Sequence, residues 1–214
     1  MSRITVIGGT GYAGSAIVAE AASRGHEVTA LSRSLPTEPV QNVNYAQGDA
    51  TDEATLISVI EGSDVVVGAL APRGELASAW RDFYRFLARR ADAAGVRLYI
   101  VGGASSLRPA PGAERFVSDL SGIPDELHDE IRLGAAFIVE DLPATPASLD
   151  WVFVSPALHF GAFMPGEQLG RYRLGDDVAV DPEGGAISAA DYALGFVDLI
   201  EKGEHHRAHV NIGH

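Results

Sequence analysis

The stretch ITVIGGTGYAGSAIVAEAASRG, Ile4 to Gly25, limits the fold of this chain more than any other. A β-branched run, Ile4–Ile7, breaks on glycine, and an Ala-rich segment of helical periodicity, Tyr12–Ser23, follows at once. Glycine is costly inside regular structure and useful where backbone bends sharply or approaches another group closely. Backbone amides in the first turn of a helix have no intrahelical partner, and the helix dipole adds partial positive charge there. A strand, a glycine turn and a helix N-terminus in succession therefore make a site for an anion. Gly8 allows the sharp turn, Gly11 lets a diphosphate approach, and Gly14 lets the helix pack close to the sheet. The amides of Thr10, Gly11, Tyr12 and Ala13 are the expected donors. Spacing alone is weak in a chain with 24 glycines, but the strand before it and the helix after it are the context the motif needs.

The rest of the chain repeats the strand-then-helix rhythm. Short β-branched runs fall at Glu27–Ser32, Val43–Gln47, Asp64–Ala69, Arg97–Val101 and Asp150–Val154. Helical periodicity predicts helices over Asp52–Glu61, Glu75–Ala94 and Pro124–Leu142. In the second of these Leu76, Trp80, Phe83 and Leu87 share a face, which reads as core or as a helix–helix contact. The alternation predicts an α/β fold, a Rossmann-type doubly wound parallel sheet with ligands at the carboxyl ends of its strands. After Val154 the rhythm changes, and Pro156 to Asp181 reads as a loop or short hairpin over the sheet's end. A helix over Ala189–Glu201 and a strand over Ala208–Ile212 close the chain. The expectation is one domain over 1–214, with 155–185 as a small C-terminal lobe covering the substrate.

Composition excludes several classes. The net charge of −13 argues against a nucleic-acid surface, which needs clustered positive charge. No cysteine is present, so disulfides and thiolate zinc sites are ruled out. No apolar run approaches the ~20 residues that span a bilayer. Met-Ser-Arg leads straight into the first strand, and a cytoplasmic protein with no membrane partner is expected. Monomer and homodimer both remain open.

Residues at successive strand ends refine the anion site. The second strand ends in VTALSRS, with Arg33 where an NAD-selective site carries a carboxylate. An arginine there pairs with a 2′-phosphate, so NADP(H) is preferred and NAD(H) is the second choice. Asp49 and Ala50 follow the third strand, where Asp49 either bonds an adenine amino group or caps the next helix. Ala69, Leu70 and Ala71 follow the fourth strand and would lie against the adenosine ribose.

The GxxGxxG loop, the arginine after strand two, the GD pair after strand three and VGGASSL after strand five together resemble atypical short-chain dehydrogenase/reductases. The branch they look most like is the NADH-flavin-reductase-like or NmrA-like group of NAD(P)H-binding proteins. DWVFVSPALHF, GRYRLGDD and ISAADYALGFVDLIE extend the resemblance over nearly the whole chain. It implies a nicotinamide cofactor at Gly8–Gly14 and reduction of a flavin (FMN or FAD as substrate), a quinone or a related conjugated acceptor. One departure is informative. The wider superfamily uses a Tyr-x-x-x-Lys pair, and none of the six tyrosines is followed by lysine at the fourth place, Lys202 being the only lysine. Ketone reduction by that pair is therefore not expected, whereas a flavin or quinone takes its proton from solvent.

Position nominates the remaining residues. Val101, Gly102 and Gly103 would pass beside the nicotinamide, with Ser105 or Ser106 bonding its carboxamide or an acceptor carbonyl. The alternative for the serines is capping a turn. Pro156 would face the ring from the other side, with Phe160, Phe163 and Met164 stacking on a flat acceptor. His159 is a candidate proton donor, although a histidine among aromatics is more often structural. The HHRAH cluster, His205 to His209, reads as a surface loop without a metal, since Gly203 ends the preceding helix. Two functions compete: an NAD(P)H-dependent reductase acting on a small-molecule acceptor, and a non-catalytic NmrA-like redox sensor acting through a protein partner.

Overall fold

Alternate side chains of the central strands enter opposite layers. Ile4 and Val6 of β1 (Arg3–Ile7) join one buried cluster, while Ile7 joins the other. The same division sends Val65 and Val67 of β4 (Val65–Gly68) one way and Val66 the other. This period of two on strands buried on both faces is what a parallel sheet covered by helices requires. The computed structural model describes residues 1–214. Its further strands are β2 (Glu27–Ser32), β3 (Val43–Gln47), β5 (Arg97–Val101), β6 (Trp151–Pro156), β7 (Arg173–Gly175) and β8 (Ala208–Gly213). They form one eight-stranded sheet in the order β3-β2-β1-β4-β5-β6-β8-β7, parallel except for the β7–β8 pair. This is a Rossmann-type α/β fold.

Helices α1 (Tyr12–Ser23) and α5 (Ala189–Lys202) cover one face with a core that includes Ile17, Val18, Tyr192 and Phe196. Helices α2 (Glu53–Ile60), α3 (Trp80–Ala94) and α4 (His128–Ala136) lie on the other side, where the core holds Leu56, Trp80, Tyr84 and Phe137. Caps fix several ends. Asp52 accepts from Thr55 N at 2.9 Å to start α2, Ser188 accepts from Asp191 N at 3.0 Å to start α5, and Gly203 ends α5 in the left-handed region.

Three segments depart from the sequence-based expectation. The helix expected over Glu75–Ala94 starts only at Trp80, because Gly74 sits at φ 58° and Gly74–Ala79 form a 3₁₀ turn. The helix expected over Pro124–Leu142 is a 3₁₀ turn, then α4, then a π turn at Phe137–Asp141 closed by Leu142 N to Phe137 O at 3.0 Å. The wider turn keeps Phe137 and Ile138 in the core while Glu140 and Asp141 reach Arg81. In the segment read as a loop or hairpin, β7 pairs not with itself but antiparallel with β8.

The carboxyl end of β6 and the start of β8 carry a buried polar network. Ser155 Oγ donates to Gly103 O at 2.9 Å and lies 2.8 Å from His209 Nε2, while Ser106 Oγ donates to Gly103 O at 2.7 Å. With both hydroxyls turned to Gly103, His209 is the donor through Nε2, and its Nδ1 is buried without a partner. Burial first, and the nearby Arg115 second, push the His209 pKa down from 6.5 to about 4. A folded-state pKa below the unfolded one means the unfolded chain binds more protons between those two values. The contribution is therefore complete above pH 6.5 and is lost as pH falls toward 4, amounting to at most ~3 kcal/mol. Urea unfolding across that window should show wild-type stability falling more steeply than that of His209→Asn. Parallel pH profiles would refute the assignment.

Candidate dinucleotide and acceptor cleft

Strand order reverses between β1 and β4, so the loops leaving their carboxyl ends part and open a crevice. A cleft of about 1160 Å³ follows this crevice and is lined by residues from the ends of all six parallel strands from β1 to β6. Single small-molecule pockets commonly fall at ~300–1,000 Å³, so there is room here for a dinucleotide with a second molecule against it.

The glycine loop forms one wall. Gly8 has φ 88° and donates to Leu31 O at 2.9 Å, and a Cβ on it would stand 2.8 Å from Ala69 O. A Cβ on Gly14 would collide with the Gly8 carbonyl, so only glycine lets α1 pack this close to the turn. Gly11 behaves differently from expectation. Its amide is already committed to Gly8 O at 3.0 Å, and the first helical bond runs from Ser15 N to Gly11 O. The amides left for an anion are those of Thr10, Tyr12, Ala13 and Gly14. Tyr12 also ties the loop to the opposite wall, its hydroxyl donating to Pro165 O at 3.2 Å and its ring meeting Phe160 edge-on at 5.1 Å. Gly9, which sequence reasoning passed over, is required as well, since a Cβ there would lie 2.7 Å from Ala30 Cβ.

At the β2 and β3 ends, Arg33, Asp49 and Ala50 line the cleft. Gln47 Nε2 holds the Arg33 carbonyl at 3.1 Å, and the exposed guanidinium is held by no carboxylate of the chain. Asp49 Oδ1 accepts from Thr51 N at 2.9 Å and Thr51 Oγ1 at 2.8 Å, which lowers its pKa. The helix cap, its alternative role, belongs to Asp52 instead. Ala69, Leu70 and Ala71 line the β4 end. That loop is clamped from α3: Trp80 Nε1 donates to Leu70 O at 2.7 Å, and the Tyr84 hydroxyl contacts Leu70 N and O at 3.0 and 3.1 Å.

At the β5 and β6 ends, Val101, Gly102, Gly103, Ser105, Pro156, Phe160 and Phe163 face the cleft. Ser106 does not. It is 1% exposed and turned into the network with Ser155 and His209, so the turn-holding alternative describes it, and a role at the reacting atoms does not. His159 is corrected too. Leu158 and Phe160 line the cleft, whereas His159 is exposed and outside the lining, its backbone bridged to Ala186 and its ring beside Gly184. Met164 closes a turn onto Gly161 O at 3.0 Å and lies exposed outside the cleft, while Phe163 of the same turn lines it. Of the tyrosines only Tyr12 lines the cleft, and burial raises its pKa. Lys202 sits in the last turn of α5. Arg73, Glu75, Glu130, Ile131 and Gly134 complete the wall. No motif marked Glu130, Ile131 or Gly134, because α4 reaches the cleft only by crossing from β5 to β6.

The NAD(P)H-binding family matches residues 8–202. The uncharacterized protein YwnB of Bacillus subtilis is 34% identical over 212 residues, covering 95% of this chain and 94% of its own. A candidate epimerase from Bacteroides thetaiotaomicron superposes with a TM-score of 0.85 at 31% identity, over 100% of this chain and 97% of that one. A candidate NADH-flavin reductase from Streptococcus pneumoniae does so with a TM-score of 0.79 at 29% identity, over 100% and 99%. Amides free at a glycine turn, a cleft at the strand-order reversal and these likenesses agree: the chain belongs to the NAD(P)H-binding family, consistent with the NmrA-like and NADH-flavin-reductase-like branch of atypical short-chain dehydrogenase/reductases.

Proposed function

We propose that this chain is an NADP(H)-dependent reductase of a flat conjugated acceptor, a flavin or a quinone, working without a tyrosine–lysine pair. One observation carries the reading. A single cleft runs from a glycine turn with four unpaired amides to an end walled by Phe160 and Phe163, and that end holds no histidine and no lysine. The amides of Thr10, Tyr12, Ala13 and Gly14 hold the diphosphate, and Arg33 pairs with the 2′-phosphate. Gly102 and Gly103 offer bare backbone to the nicotinamide, Ser105 holds its carboxamide, and Phe160 and Phe163 stack on the acceptor. The bound cofactor supplies hydride, and a conjugated acceptor spreads the incoming charge and takes its proton from water. What the chain adds is alignment of two flat rings and exclusion of solvent between them. Residues 155–185 act as the cover of the acceptor end, within one nucleotide-binding unit.

Removing the Arg33 guanidinium should weaken NADPH about ten-fold, the effect of one lost charge-assisted contact, and leave NADH nearly unchanged. Titration of Arg33→Ala with both cofactors checks this, and an unchanged preference would remove the basis for NADP(H). Turnover is read from the nicotinamide absorbance with NADPH and riboflavin, FMN or a quinone. Oxidation above background supports the reductase. Tight NADPH binding without turnover on any acceptor would favour the redox-sensor reading, for which the same end without histidine or lysine speaks.

A further inference from the structure

Five charged side chains line the cleft: Arg33, Asp49, Arg73, Glu75 and Glu130. Topology separates them. Arg33 and Asp49 follow β2 and β3, whereas Arg73 and Glu75 follow β4, and Glu130 stands on α4, the crossover between β5 and β6. The two arginines are in opposite states. Arg33 is open to an incoming anion, while Arg73 Nε sits 2.8 and 2.9 Å from the two carboxylate oxygens of Glu130. The pair ties the β4 loop to α4 in the half of the cleft built from the β4, β5 and β6 ends, the half that also carries Phe160 and Phe163. The Arg73 side chain is 65% exposed and that of Glu130 only 20%, so the partner that is harder to displace is the anion. An exposed ion pair of this kind adds little to stability. Its consequence is electrostatic: the one cation at this end is cancelled, and Glu75 leaves the local balance negative.

We propose that Glu130 is a specificity-determining residue which, by neutralising Arg73, makes the acceptor end select uncharged flat acceptors over phosphorylated ones. The inference rests on the reductase reading above and names the acceptor class within it. A phosphate on the acceptor's side chain must either approach the Glu130 carboxylate or pull Arg73 away from it. Both are unfavourable at the partly desolvated mouth of a cleft in a chain of net charge −13. An uncharged ring system meets no such opposition and gains the same contact with Phe160 and Phe163.

Riboflavin and FMN carry the same ring and differ by the phosphate, so the ratio of their kcat/KM values at saturating NADPH isolates the effect. Wild type should favour riboflavin. Glu130→Gln keeps the shape and frees Arg73, and should raise the FMN-to-riboflavin ratio about five-fold, a gain that shrinks as salt is added. Arg73→Gln should not raise the ratio. The double variant, with neither charge, should return close to wild type. It also keeps the comparison available if one single variant folds poorly, which melting curves would show. Turnover of both flavins with a ratio unmoved by Glu130→Gln would overturn this proposal and leave the reductase reading standing. So would an equal rise in Arg73→Gln, which would point to a merely structural tie. Absence of turnover with either flavin in wild type, despite NADPH binding, would overturn the reductase reading and this inference with it.

Discussion

The packing of α1 against the turn that precedes it underlies the rest of the molecule. Gly14 lies so near the Gly8 carbonyl that no side chain fits between them. That approach brings the first turn of α1 to the carboxyl edge of the sheet with amides still unpaired. Gly8 can make the turn because it takes φ 88°, and it hands its own amide to Leu31 on the neighbouring strand. The anion site is thus a by-product of two close backbone contacts. It uses no charged side chain, which suits a chain whose overall balance is strongly acidic.

The other walls are held in place by side chains that bond the loop backbone. Trp80 and Tyr84 spend their polar atoms on Leu70 and fix the β4 loop from below. Ser106, Ser155 and His209 do the same for Gly103 from inside the sheet. A buried hydroxyl must find a partner or forfeit its hydration, so each such group is committed to one geometry. The result is a cleft of largely bare backbone, positioned from beneath by aromatic and hydroxyl groups. The segment from Pro156 onward is tied down at several points, among them the Tyr12 hydroxyl at Pro165 and the Asp191 carboxylate at Leu169 and Gly170.

Charge in the cleft is arranged as two unlike ends. Arg33 waits unpaired beyond β2, and Arg73 is silenced by Glu130 beyond β4. The polarity of the site follows from that contrast: one end carries an open cation, and the other a cation already paired.

By itself the sequence determined every strand but β7, because period-two burial on a covered sheet writes unbroken β-branched runs such as Val65–Val67. It also determined the phosphate turn and placed Arg33, Asp49 and Phe160 at strand ends, since those positions follow from counting along single strands. Tertiary structure decided the rest. Whether Ser105 or Ser106 faces the cleft depends on the turn between them, and His159 lies exposed outside the lining although both its neighbours belong to it. Most of all, the meeting of Arg73 with Glu130 joins residues 57 positions apart. It exists only because α4, on the crossover from β5 to β6, is packed against the loop that leaves β4. No local pattern encodes such a pairing, because it is a property of how layers pack and not of any one element.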